Sequence, residues 1–84
     1  MVIARVVLTQ KYEQDIKHIK EQATKDRIRN HIEKVIKNPE IGKPLKYGLK
    51  GERTVRVKPY RLIYAVEGDV LILLRFEHRK KVYE

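Results

Sequence analysis

The feature that most restricts this chain is the dipeptide Gly68-Asp69 with a strand-like run on each side. Tyr60–Glu67 and Val70–Glu77 are rich in β-branched and large apolar residues. A two-residue break of this kind between such runs signals a β-hairpin. With Gly68 and Asp69 as the turn, Glu67 opposes Val70 and the pairing continues one for one away from it. Arg61 then faces Phe76, Leu62 faces Arg75 and Ile63 faces Leu74. Strand side chains alternate, so His78, two residues past Phe76, falls on the face of Arg61.

A third strand, Arg53–Val57, precedes this hairpin, and Lys58-Pro59 connects the two. A tight connection there pairs Arg56 with Arg61. In this register Arg56, Arg61 and His78 share one face. Val55, Val57, Leu62, Tyr64, Leu71 and Leu73 share the other, which is the seat for any covering helices. Like charges directly opposite one another destabilise a ladder by some tenths of a kcal/mol. The pair is expected to stand without an adjacent acid on its face, and anion binding or an acidic partner protein explains its presence.

The N-terminal half reads differently. Val2–Leu8 is apolar and β-branched apart from Arg5, which predicts a largely buried strand. Thr9 offers a helix N-cap. Tyr12, Ile16, Ile19 and Ala23 then make one helical stripe. A second helix is expected from about Thr24 to Asn38, with Ile28, Ile32, Val35 and Ile36 on its apolar face. Asp26 near its start and Lys34 and Lys37 near its end suit the helix dipole. Pro39 ends it, because the residue before a proline avoids the α region. Residues 39–51 hold Pro39, Gly42, Pro44, Gly48 and Gly51 and read as a loop. The expected fold is α+β: order β-α-α-β-β-β, an antiparallel-rich four-stranded sheet with an N-terminal helical hairpin on one face.

Length and composition limit what this fold can do. Eighty-four residues form a single domain, 1–84, with room for one core. The absence of cysteine excludes a disulfide scaffold, a thiolate metal site and a cysteine nucleophile. His18, His31 and His78 have no metal-ligand spacing, so no metal or cofactor is expected. The longest apolar run, Val70–Leu74, is far too short to span a bilayer. Met1–Leu8 lacks the basic start and cleavage site of a signal peptide, and the expected address is the cytoplasm. The net charge of +9 is uneven. Residues 1–42 carry nine basic against six acidic groups, and residues 43–84 carry eleven against five. The excess falls on the loop, one sheet face and the tail, as a phosphate-binding surface would place it.

Four segments carry a family likeness. Leu49-Lys50-Gly51, Arg56-Val57, Tyr60-Arg61-Leu62-Ile63-Tyr64 and His78-Arg79-Lys80-Lys81-Val82-Tyr83 together resemble the RelE/ParE toxin superfamily, the RelE branch more closely. The likeness covers the whole chain, its length and its element order. It implies a toxin of a type II toxin–antitoxin pair, a ribosome-dependent endoribonuclease that cleaves mRNA in the A site and so inhibits translation. The implied chemistry is metal-independent. A 2′-hydroxyl attacks the adjacent phosphate, giving a 2′,3′-cyclic phosphate and a free 5′-hydroxyl. The implied partners are a cognate antitoxin, expected to be acidic and partly disordered, and a 70S-type ribosome with its mRNA.

Roles follow by resemblance, residue by residue. Arg61 matches the sheet arginine at the scissile phosphate, and Arg56 a second basic position. Arg79 matches a C-terminal basic group that stabilises developing charge. Tyr83 matches a tyrosine that stacks on a base or assists proton transfer. Lys46, Lys50, Lys58, Lys80 and Lys81 are the expected RNA-binding lysines. The best-studied enzyme pattern has lysines where this chain has Thr54 and Arg56. An arginine holds its proton too tightly to be a good general base, and His78 is the substitute. Lys46 or Lys50 would need a strongly lowered pKa. Two alternatives stand beside the nuclease: a ParE-like DNA gyrase inhibitor, and a non-catalytic RNA-binding or decayed homologue.

Overall fold

A computed structural model describes residues 2–45 and 51–78. In chain order the elements are β1 (Arg5–Leu8), α1 (Gln10–Lys17), α2 (Gln22–Lys37), β2 (Lys43–Pro44), β3 (Glu52–Val57), β4 (Tyr60–Glu67) and β5 (Val70–His78). They form one five-stranded sheet in the order β1-β5-β4-β3-β2. β1 runs parallel to β5, and the other pairings are antiparallel. The α+β class and the helix–sheet order are as expected. The fifth strand is β2, two residues inside the segment read as a loop, which pair with Thr54 and Arg53.

The β4–β5 turn forms as expected, with Glu67 opposite Val70. Gly68 has φ of 62° and Asp69 a negative φ, as a II′ turn requires, so the glycine takes the position that an L side chain disfavours. The β3–β4 turn is equally tight. Val57 pairs with Tyr60 across Lys58-Pro59, whose peptide bond is cis, and Arg56 stands opposite Arg61.

The one-for-one register holds from Glu67 to Tyr64 and then breaks. Tyr64 pairs with Leu73 but Ile63 pairs with Arg75, so Leu74 is an extra residue in β5. This bulge moves everything beyond it by one position. Leu62 therefore faces Phe76, Arg61 faces Glu77 and Tyr60 faces His78.

Both helices lie on one face, α1 over β5 and α2 over β3. The core between helices and sheet holds Tyr12, Ile28, Val35, Val57, Leu62, Tyr64, Leu71, Leu73 and Phe76. Thr9 starts α1: its hydroxyl accepts from the Tyr12 N–H at 3.0 Å and donates to the Leu74 carbonyl at 2.6 Å. One side chain thus caps the helix and ties it to the strand. Asp15 adds a second tie, accepting from the Phe76 N–H at 2.9 Å where β5 runs beyond β1. The stripe expected to reach Ala23 stops earlier. α1 ends at Lys17, Ile19 is buried in the connection, and Ala23 is an exposed residue of α2. Asp26 lies beyond the first turn of α2, whereas Lys34 and Lys37 do fall in its last turn.

β1 departs most from expectation. Val6, Val7 and Leu8 are each about 40% exposed, because β1 is an edge strand with one neighbour. Burial was expected from apolar content alone, and an edge position leaves part of such a strand uncovered.

Tyr64 pins the segment after α2. Its buried hydroxyl donates to the Pro39 carbonyl at 2.7 Å and accepts from the Gly42 N–H at 3.0 Å. Burial pushes its pKa upward, with the Gly42 hydrogen bond and the Arg53 charge opposing the shift. Burial likewise raises Tyr12. A Cβ on Gly42 would sit 2.6 Å from the Tyr64 Oη and 3.0 Å from the Thr54 carbonyl oxygen. The first contact is closer than packing allows, and the second is tighter than ordinary van der Waals contact. Gly42→Ala is therefore expected to cost about 1–3 kcal/mol, read as a lower urea midpoint at unchanged slope.

Candidate functional site

The sheet face turned away from the helices gathers charged residues from three strands, Glu52 and Arg56 of β3, Arg61 of β4, and Arg75 and Glu77 of β5. Arg56, Arg61 and Glu77 form one line of register partners across β3, β4 and β5. Thr54, Ile63 and Arg75 form the next line. Glu52 and Ala65 pair in the line beyond. Arg75 links the lines: its Nη2 donates to Glu52 Oε1 and its Nε to Glu77 Oε1, each at 3.1 Å. Glu52 is only 8% exposed, and a buried carboxylate needs such a partner. The buried Glu52 thus anchors Arg75, and Arg75 orients the half-buried Glu77 beside Arg61. Arg56 is exposed and Arg61 half-buried. The Thr54 hydroxyl on the same face is buried without a hydrogen-bond partner among the described residues.

Two expectations about this face need correction. His78 is not on it. The Leu74 bulge reverses the alternation, so His78 pairs with Tyr60 and turns to the helix side, and Phe76 goes into the core rather than opposite Arg61. The face also has an adjacent acid: Glu77 directly opposes Arg61. Arg56 opposite Arg61 stands as expected. Lys58 is exposed at the β3–β4 turn, and its carbonyl accepts from Arg27 Nη2 at 3.4 Å. Lys46, Lys50, Arg79, Lys80, Lys81 and Tyr83 lie outside the described residues.

His78 instead borders a cavity of about 370 Å³ between α1 and the end of β5, with Lys11, His18 and Tyr60 among its walls. Tyr60 stacks on Phe76 at 4.8 Å between ring centroids and meets the His78 ring edge-on at 5.3 Å. A second, apolar groove of about 310 Å³ runs between the helices over Ile16, Ile19, Ile28 and Ile32, with Lys25 and Arg29 also lining it. Among the described residues no group of three or more His, Asp and Glu is placed to hold a metal ion. No described helix is long and apolar enough to cross a membrane.

The Glu52–Arg75–Glu77 chain was missed in the sequence. A signal for it exists: Leu71, Leu73 and Phe76 are spaced by two and then three. A strand that keeps all three on the core face must contain a bulge between Leu73 and Phe76. That bulge puts Arg75 and Glu77 on the outer face.

Residues 6–83 match the model of the ParE toxin of type II toxin–antitoxin systems. The chain belongs to this toxin family. No curated protein sequence matches it significantly. Among solved structures, this RelE/ParE-superfamily chain is similar to the toxin in a RelB–RelE antitoxin–toxin complex from Methanococcus jannaschii. That match has 28% identity and a TM-score of 0.73, covering 92% of this chain and 94% of that one. The RelBE2 toxin–antitoxin complex from Mycobacterium tuberculosis gives 25% identity and a TM-score of 0.76, covering 93% and 100%. A YoeB/ParE toxin from Agrobacterium tumefaciens, at 20% identity and a TM-score of 0.78 over 88% and 96% of the chains, shares the fold. The resemblance read from the sequence and the family found by comparison agree, and the protein is a RelE-like toxin of the type II class.

Proposed function

We propose that this toxin is a ribosome-dependent endoribonuclease that cuts mRNA in the A site and is held in check by a cognate antitoxin in the cytoplasm. The observation that carries this is Arg56 directly opposite Arg61 on the sheet face that the helices leave uncovered. Two guanidiniums so placed form a clamp for a phosphodiester and for the extra negative charge of its transition state. Attack by the 2′-hydroxyl forms the O2′–P bond and breaks the P–O5′ bond. The 5′ oxygen leaves with a proton, and the upstream fragment ends in a 2′,3′-cyclic phosphate. Arg79 and Tyr83 complete the site by family resemblance. Lys46, Lys50, Lys58, Lys80 and Lys81 hold flanking phosphates. The ribosome positions the RNA, and proximity of this kind supplies several kcal/mol.

The antitoxin is the expected partner because two of the similar toxins were solved in complexes with theirs. An acidic segment complements the basic surface. The apolar groove over Ile16 and Ile28 and the exposed Val6, Val7 and Leu8 are ground for its apolar residues.

One observation favours a second activity: the matching family model is named for ParE. A ParE-like gyrase inhibitor acts by binding and needs no phosphate clamp. Purified toxin added to translating ribosomes is expected to cut mRNA in the A-site codon and to cut naked RNA poorly. Intact mRNA together with DNA double-strand breaks on expression is the opposite result and selects gyrase.

A further inference from the structure

We infer that Glu77, rather than His78, is the group that takes the proton from the attacking 2′-hydroxyl. This rests on the nuclease activity proposed above. The general base must stand within hydrogen-bond reach of the 2′-oxygen while the phosphate next to it lies on the arginine clamp. The base therefore belongs on the same sheet face as Arg56 and Arg61. His78 is on the other face, paired with Tyr60 and bordering the α1 cavity. Arg56 and Arg61 are the cationic clamp that holds the phosphate. Thr54 is a hydroxyl. Among the described residues, Glu77 is the one carboxylate in register with both arginines.

Its setting is built rather than incidental. Arg75 holds Glu77 Oε1 at 3.1 Å through Nε and is itself fixed by the buried Glu52 at 3.1 Å. A long side chain anchored in this way presents its second oxygen in a set direction. Arg75 is then a positioning residue, and Glu52 acts through it. In the step itself the 2′-hydroxyl proton passes to a Glu77 carboxylate oxygen as the O2′–P bond forms. The P–O5′ bond breaks, and the departing 5′ oxygen takes a proton from water. Glu77 later returns its proton to solvent. Beyond its ion pair with Arg75, a carboxylate beside the clamp weakens phosphate binding, and its fixed place there points to use.

The test measures single-turnover cleavage of a defined mRNA on programmed ribosomes, with ribosome binding measured in parallel. Glu77→Gln is expected to lower the cleavage rate by about 10²–10⁴-fold, the usual contribution of a general base, with binding unchanged. Glu77→Asp keeps the carboxylate and is expected to recover part of the rate. Glu77→Ala leaves a gap that added formate fills, so formate is expected to raise its rate and leave that of Glu77→Gln unchanged. A structural role for Glu77 would give no response to formate, and that result overturns the assignment. Glu77→Gln cutting at the wild-type rate while Arg61→Ala is slowed also overturns it and leaves the nuclease activity standing. A wild-type protein that leaves the mRNA whole overturns both.

Discussion

Arg61→Ala is expected to lower mRNA cleavage on the ribosome by about 10²–10³-fold, the usual loss when one preorganised donor to a developing oxyanion is removed. Arg61 is half-buried in the middle strand of the β3–β4–β5 group, with Arg56 on one side and Glu77 on the other. A guanidinium held there is partly shielded from water, so its attraction to the phosphate is stronger than that of a fully exposed cation. Alanine removes that charge and the fork of donors together. The fold should not suffer. The substitution relieves the repulsion from Arg56 and loses the opposite charge of Glu77 across the ladder, each worth some tenths of a kcal/mol, and Arg75 still holds Glu77. Thermal unfolding of the variant should match wild type to within about 0.5 kcal/mol. A variant that cuts normally removes Arg61 from the site. A variant that fails to fold makes the arginine structural.

The largest effect on stability is expected from Leu62→Ala. Leu62 is fully buried and packs in the core between Val55 and Phe76, its partners on β3 and β5. Cutting it back to alanine loses transfer free energy and leaves a cavity that the flanking strands cannot close, a cost of about 2–5 kcal/mol. A domain of this size has only about 4–13 kcal/mol in total. The melting temperature should fall by roughly 10–30 °C, and part of the population should be unfolded at growth temperature. Urea unfolding measures this directly. A loss below about 1 kcal/mol would mean that the core tolerates the cavity and that Leu62 is not central to it.

How far the sequence carried depended on what each signal reports. The two turns were legible because Gly68-Asp69 and Lys58-Pro59 are local, and a tight turn sets the first pairs beside it. Arg56 opposite Arg61 followed from that alone. Beyond Tyr64 the register depends on Leu74, and no turn residue announces an inserted residue in mid-strand. One extra position turned His78 and Glu77 to opposite faces from those expected, because strand side chains alternate. The candidate site was therefore half legible: the sequence placed Arg56 opposite Arg61, and the carboxylate chain beside them was not foreseen. β2 was invisible for another reason, since Lys43-Pro44 has no strand pattern and pairs only as an edge. The exposed β1 shows the limit of composition, which records apolar content but not the number of neighbours.

The central claim is that the sheet face turned away from the helices performs a phosphodiester cleavage. It is tested most directly by mapping the ends made when purified toxin acts on a ribosome-bound mRNA. The expected result is a cut within the A-site codon, a 2′,3′-cyclic phosphate upstream, a 5′-hydroxyl downstream, and a cut about 10²–10³-fold slower with Arg61→Ala. Intact mRNA under wild-type toxin, or the same cut and the same ends with Arg61→Ala, would contradict it.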